Sequence, residues 1–299
     1  MRSSIESIAQ ASKNWSIEVT PKGAGKVADF GKILAAGTTV NVTFLPNSNL
    51  QDTVDVACRL TKEGMNAVPH IAARSLKSRK QLDEFISQLV NDADIDEVLV
   101  IGGSVDKVVG PFSSSMDVLE TGLLQKYGIK RVGVAGHPEG SPDISDQDIR
   151  MALEQKNRFA IEQKLEMYIE TQFCFDPLAV INWEKQIRNQ GNRLPIRVGI
   201  AGPATIKSLL KFGQVSGIGN SIRFIKKQAR NVAKIMRIQT PAALLDGLVH
   251  GIDADHECLI SHFHYYPFGG FARTVKFATL VSNGTILPTG DSEVFEVVT

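Results

Sequence analysis

Short apolar runs alternate with longer amphipathic segments along the whole chain. The runs predict eight strands, at 17–20, 40–44, 67–71, 97–102, 131–136, 169–175, 196–201 and 258–265. Several are apolar at successive positions, as in VLVI at 98–101 and VGVAG at 132–136. Strands buried on both faces have this pattern, which favours a parallel sheet.

Between the strands, apolar residues recur near the 3.6-residue period of an amphipathic helix. The predicted helices are 49–64, 78–91, 145–167, 177–190, 221–237 and 271–281. Eight strand–helix alternations in this length predict the α/β class and a (β/α)8 TIM barrel. A doubly wound open sheet is the alternative, but no Gly-x-Gly-x-x-Gly motif follows the first strand. We expect one domain over 1–299, with a C-terminal extension from about 282 that could pack as an extra strand.

Composition excludes several classes of partner. The 299 residues are 43% hydrophobic and carry 33 basic against 32 acidic side chains, so no global charge attracts nucleic acid or an anionic membrane. No apolar run reaches the ~18 residues that span a bilayer, and the first residues contain no secretory signal. Three scattered cysteines do not form a disulfide framework, which favours a cytoplasmic protein.

In a TIM barrel, chemistry is concentrated at the carboxyl ends of the strands. Polar side chains follow most of the predicted strands, and together they could anchor a polar heteroaromatic ligand. These residues are Glu18, Thr20, Thr43, Asn47, His70, Arg74, Ser104, Asp106, His137, Glu139, Gln172, Asp176, His262, His264 and Tyr266.

Two of these residues interrupt strands that are otherwise apolar. A carboxyl group at the position of Glu18 loses solvation, which favours its protonated form and suits a general acid. The alternative for Glu18 is a salt bridge to an Arg or Lys of the barrel interior. The amide of Gln172 could read the edge of a heterocycle, or it could be a satisfied core amide.

The histidines allow other interpretations. His262 and His264 have a spacing that can bind metal, but a second histidine cluster and a strand-end Asp are missing, so we predict no metal site. His70 and His137 each lie where a predicted strand ends, a position at which a histidine contacts a ligand or anchors a loop.

Six short segments, in order within 15–278, resemble the methylenetetrahydrofolate reductase family. SIEVTP at 16–21 is similar to the family's first-strand SFEFFP, and TQFCFD at 171–176 is similar to its TQFFFD. The other four are VTF at 42–44, PHI at 69–71, VAGHPE at 134–139 and FHYY at 263–266. Their order and their placement on predicted strands carry the resemblance.

The resemblance implies reduction of 5,10-methylenetetrahydrofolate to 5-methyltetrahydrofolate with NAD(P)H. Glu18 matches the family's acid, whose implied role is to protonate N10 and give a 5-iminium hydride acceptor. Gln172 matches its folate-binding amide. The other implied positions are Thr43, Ser104, Ile206 and His264 on the substrate side, and His70, Gly102, His137 and Lys164 on the cofactor side.

Several positions that contact flavin in the family carry other residues here. Gly102 replaces an Arg, Ser104 an Asp and His137 a Tyr, while Ile206 replaces a Phe that stacks at the shared nicotinamide and folate site. FAD either binds through different contacts, or hydride passes directly from the nicotinamide to the iminium carbon. These replacements favour weakened flavin binding or the absence of flavin.

Two further functions stay open at this point. One is another pterin-dependent barrel enzyme, such as a methyltransferase, which would not oxidise NAD(P)H. The other is a non-catalytic folate-binding subunit of a reductase complex, which would bind folate without turnover. Tetrahydrofolate is the expected partner in each case, and either a homo-oligomer or a partner subunit is compatible with the sequence.

Overall fold

The computed structural model describes residues 3–46, 48–103, 107–141, 144–215, 238–288 and 295–297. The described strands are β1 (Ser16–Val19), β2 (Thr39–Val42), β3 (Asn66–Ala72), β4 (Glu97–Ile101), β5 (Arg131–Gly136), β6 (Glu166–Cys174), β7 (Ile196–Ala201), β8 (Ala204–Thr205), β9 (Ile238–Gln239), β10 (Ile260–Tyr266), β11 (Ile286–Pro288) and β12 (Phe295–Val297). Eight of them form a closed parallel barrel in the order β1-β10-β7-β6-β5-β4-β3-β2. The predicted TIM barrel and its eight strands are therefore confirmed.

Helices alternate with these strands. The described helices are Ile5–Ala11, Pro21–Ala24, Leu50–Lys62, Arg79–Ala93, Ser115–Leu119, Leu123–Lys126, Asp146–Gln163, Pro177–Asn189, Ile206–Val215, Ala242–Asp253 and Phe271–Ser282. Five of the six predicted helices are among them, while the predicted helix 221–237 lies outside the described residues. No helix in the described ranges is long and apolar enough to cross a membrane.

Several of these helices begin after a polar residue whose side chain caps the first turn. Asn49, Ser78 and Asp176 each accept backbone N–H bonds from the first turn of the helix that follows. The predicted end of the helix 145–167 was wrong. The backbone at Lys164 is left-handed, with φ of 50°, which stops the helix at Gln163 and starts β6 three residues later, at Glu166.

Ser16–Ala135 and Gln155–Ile169 form one compact unit, called unit 2. Its strands β1 to β4 pair in parallel, and a nearly continuous set of buried apolar residues fills them. Gly133 on β5 is needed for close packing, because a Cβ there would lie 2.6 Å from a ring carbon of Tyr168.

Met1–Trp15, Gly136–Glu154 and Glu170–Thr299 form the other unit, called unit 1. Here β7 pairs with β10 in parallel, with Gly199 opposite His264. The C-terminal extension differs from the expectation of one extra strand. Its strands β11 and β12 pair with each other in antiparallel register.

Candidate active site

Unit 2 buries an acid beside an imidazole. Ile17 and Val19 are buried on either side of Glu18, and the side chain of Glu18 is only 14% exposed. One of its carboxylate oxygens lies 4.0 Å from Nε2 of His70, a side chain that is itself 6% exposed. The structure therefore brings two of the predicted site residues, Glu18 and His70, together.

Thr43 follows β2 in the same unit. Its backbone N–H donates to the carbonyl of Val19, which fixes its position next to the strand that carries Glu18. Its Oγ1 atom is buried and has no hydrogen-bond partner among the described residues. A buried hydroxyl of this kind is suited to a polar group on a ligand.

The structure describes two of the three predicted positions near β4 and β6, which are Gly102 and Lys164 on the cofactor side and Ser104 on the substrate side. Gly102 ends β4, and its carbonyl accepts the backbone N–H of Arg74 at 3.0 Å. Ser104 lies outside the described residues. Lys164 is exposed and precedes β6, so it lies at the opposite end of that strand from Gln172. We therefore leave Lys164 out of the candidate site, because active groups of a barrel lie at the carboxyl ends of its strands.

Unit 1 buries a second acid–imidazole pair. Nδ1 of His264 lies 3.7 Å from a carboxylate oxygen of Glu170, and both side chains are almost completely buried. Burial, together with the nearby charges of Arg197 and His264, lowers the pKa of His262 to about 3, so this imidazole is neutral at pH 7. In the described ranges no group of three His, Cys, Asp or Glu residues could hold a metal ion.

An aromatic cluster lies at the end of β6 and β10. Phe173 is buried and contacts the rings of Phe175, Tyr266 and Phe268 at centroid distances of 4.7 to 5.7 Å. Ile206 is 2% exposed and belongs to the apolar core beneath these rings. The structure thus places Ile206 in the core, although the resemblance implied a ligand-facing position.

A groove opens between the helices Asp146–Gln163 and Pro177–Asn189. Its volume is about 660 Å³, and His137 is among the residues that line it. We call it the β5–β6 groove; the acidic and basic residues that line it are Glu139, Asp146, Asp176 and Arg150. One carboxylate oxygen of Glu139 accepts the backbone N–H groups of Phe175 and Asp176, which fixes the turn after β6.

Sequence reasoning missed Glu170 and the hydrogen bonds of Thr171. Glu170 and Gln172 are separated by one residue in an apolar strand, and this period-2 spacing of polar residues was the available signal. Which groups they meet depends on strand register, which the sequence alone does not contain.

Comparison with known proteins supports the family resemblance. A family profile described as Methylenetetrahydrofolate reductase matches residues 4–228. Methylenetetrahydrofolate reductase 2 of Saccharomyces cerevisiae is 33% identical over 116 residues, which are 36% of this chain and 18% of the yeast protein. The HisF subunit of imidazole glycerol phosphate synthase from Prochlorococcus marinus is 23% identical over 155 residues, or 50% of this chain and 57% of HisF.

A solved structure shares the fold over most of its length. It is an uncharacterized protein from Clostridium thermocellum that binds two copies of 5-methyl-5,6,7,8-tetrahydrofolic acid, with a TM-score of 0.59 and 11% identity. The superposition covers 94% of this chain and 98% of that one. The chain spans less than two thirds of the two curated relatives, but the family profile covers most of its residues. The chain belongs to the methylenetetrahydrofolate reductase family.

Proposed function

We propose that this protein reduces 5,10-methylenetetrahydrofolate to 5-methyltetrahydrofolate, with NAD(P)H as the hydride donor. Family membership supports the reaction class. The observation that carries the proposal is the buried carboxyl group of Glu18, held in β1 between two buried apolar residues and beside His70. A carboxyl group at such a position can pass a proton to a bound substrate with little competition from solvent.

The proposed reaction begins with proton transfer from Glu18 to N10. The bond between N10 and the one-carbon unit breaks, its electron pair stays on N10, and the lone pair of N5 forms the iminium. Hydride from C4 of the nicotinamide then adds to the iminium carbon and yields the methyl group and NAD(P)⁺. His70, 4.0 Å from the carboxylate, is suited to return a proton to Glu18 for the next turnover.

Gln172 is the proposed pterin anchor. It is half-buried at the end of β6, and its amide offers both a donor and an acceptor to the pterin edge. Thr43 is the other proposed substrate contact, because its buried Oγ1 atom has no protein partner in the described ranges. His264 does not join them in this proposal, since it is fully buried against Glu170.

Hydride passes directly from nicotinamide to the folate in this proposal, without a resident flavin. Among the described residues that line the β5–β6 groove, Arg150 is the one permanently cationic side chain, against three carboxylates. The pyrophosphates of FAD and of NAD(P)H both favour cations and free N–H donors, so the proposal places neither of them in this groove. At the end of β4, Gly102 offers no side chain in place of the family's arginine.

The visible spectrum of the purified protein tests the flavin part of the proposal. We expect no absorption band of oxidised flavin, and we expect added FAD to leave the turnover rate unchanged. A protein that purifies with stoichiometric flavin, bleached by NAD(P)H and reoxidised by the folate, would contradict direct transfer.

An anaerobic assay tests the reaction itself. Methylenetetrahydrofolate should cause oxidation of NAD(P)H, with one 5-methyltetrahydrofolate formed per nucleotide oxidised. Methyl transfer or folate binding without nucleotide oxidation would favour the rival functions instead. The Clostridium thermocellum neighbour, which binds 5-methyltetrahydrofolate, is the observation that favours such a binding function.

A further inference from the structure

Strand β6 departs from regular geometry at Gln172. Thr171 Oγ1 and Cys174 Sγ lie 3.6 Å apart, although residues three apart in a regular strand point to opposite faces. Both groups donate to the backbone carbonyl of Gln172, Thr171 Oγ1 at 2.8 Å and Cys174 Sγ at 3.1 Å. Side chains of its own strand therefore fix the backbone of Gln172.

The neighbouring strands complete this arrangement. The N–H of Gly199 on β7 donates to Thr171 Oγ1 at 2.8 Å, and the hydroxyl of Tyr266 on β10 donates to the carbonyl of Thr171 at 3.0 Å. A Cβ on Gly199 would lie 2.5 Å from that carbonyl oxygen and 2.7 Å from the Tyr266 ring, so only glycine leaves room for the ring. We call Thr171, Cys174, Gly199 and Tyr266 the Thr171 cluster.

We propose that Tyr266 is a positioning residue, whose hydroxyl bond to Thr171 holds β6 in the irregular conformation that presents the Gln172 amide. This inference rests on the proposed role of Gln172 in folate binding. An amide reads a donor–acceptor pair only in a narrow range of orientations, so a backbone shift at Thr171 changes how well it fits the pterin. Glu139 fixes the turn after β6, so a shift at Thr171 is confined to the segment that carries Gln172.

Tyr265 provides a matched control. It is the adjacent residue of β10 and is fully buried, and its hydroxyl has no hydrogen-bond partner among the described residues. Tyr266→Phe and Tyr265→Phe each delete one hydroxyl from the same strand, but only Tyr266→Phe removes a bond to β6. A general loss of packing would affect both variants alike.

The first measurement follows the side-chain amide of Gln172 by nuclear magnetic resonance, with its signals assigned from Gln172→Glu. We expect Tyr266→Phe to shift and broaden these signals and Tyr265→Phe to leave them unchanged. Amide signals that are unchanged in Tyr266→Phe would overturn the positioning role, whatever reaction the protein catalyses.

The second measurement is the affinity for 5-methyltetrahydrofolate by calorimetry. We expect Tyr266→Phe to raise Kd about tenfold, Tyr265→Phe to leave it unchanged, and Tyr266→Phe to have no further effect in a Gln172→Ala background. If Tyr266→Phe lowered the folate affinity of Gln172→Ala as much as it lowers that of the wild type, the inference would be overturned, because Tyr266 would then act through a residue other than Gln172. Absence of folate binding by the wild type would contradict the proposed function, and the amide signals would still decide the role of Tyr266.

Discussion

Lys156 is a buried cation without an ion pair in the described part of the chain. It lies in the helix Asp146–Gln163 and is 7% exposed. Burial lowers the pKa of its ammonium group to about 8 from the ordinary value of 10.5. The unfolded chain therefore binds more protons than the folded one between these two values, and folding stability rises with pH across this window.

Replacing Lys156 by Met should stabilise the protein at pH 7. The methionine has a similar length and removes the cost of burying a charge, so we expect the free energy of unfolding to rise by about 1–3 kcal/mol. The gain should shrink as the pH rises from 8 to 10, because the wild-type lysine then becomes neutral. Urea unfolding at several pH values measures both effects.

The exposed Lys13 is the control for this experiment, and Lys13→Met should change stability little at any pH. A Lys156→Met variant that is less stable than the wild type at pH 7 would contradict the account, since it would reveal a favourable interaction of the ammonium group.

At the scale of elements, the side chain of one arginine connects the helix Pro177–Asn189 to the loop before β10. Arg188 bonds to Glu184 at 2.8 Å, to Asp255 at 2.5 Å and to Glu257 at 3.0 Å. Glu184 is fully buried and also accepts the backbone N–H of Leu259. The cluster thus fixes the start of β10, the strand that carries His264 and Tyr266.

Arg188→Met should destabilise the protein clearly more than the loss of a surface ion pair, because it removes the cationic partner of the buried carboxylate of Glu184. Thermal or urea unfolding measures the loss. Lys80→Met removes an exposed pair with Glu84 at the same helical spacing and should cost less than about 1 kcal/mol. Equal effects of the two substitutions would show that the Arg188 cluster contributes no more than a surface pair.

The elements that sequence patterns predicted and those they missed differ in periodicity. Strands such as β4 are largely apolar, and helices such as Arg79–Ala93 have one apolar face. Each pattern therefore predicts its type of element directly from the sequence. The helix Ala242–Asp253 was missed; six of its twelve residues are buried, and such an apolar segment is difficult to distinguish from a buried strand by its pattern alone. Helices of four or five residues, such as Ser115–Leu119, are too short to establish a period.

At the scale of the whole molecule, the alternation of strand and helix was sufficient to predict the barrel. The candidate site was only partly predictable. Glu18 and Gln172 were selected as candidates because each is polar in an apolar strand, while the pairing of His264 with Glu170 depends on contacts between strands. The burial of Ile206 likewise follows from packing around Phe173, which no local pattern contains.

Turnover and binding by Glu18→Gln test the central claim most directly. The substitution keeps the shape of the side chain but removes the acid proposed to protonate N10. We predict that methylenetetrahydrofolate reduction falls by at least about 100-fold, the range that general acid catalysis contributes, while Kd for 5-methyltetrahydrofolate changes less than about threefold. Reduction by Glu18→Gln at the wild-type rate would contradict the account.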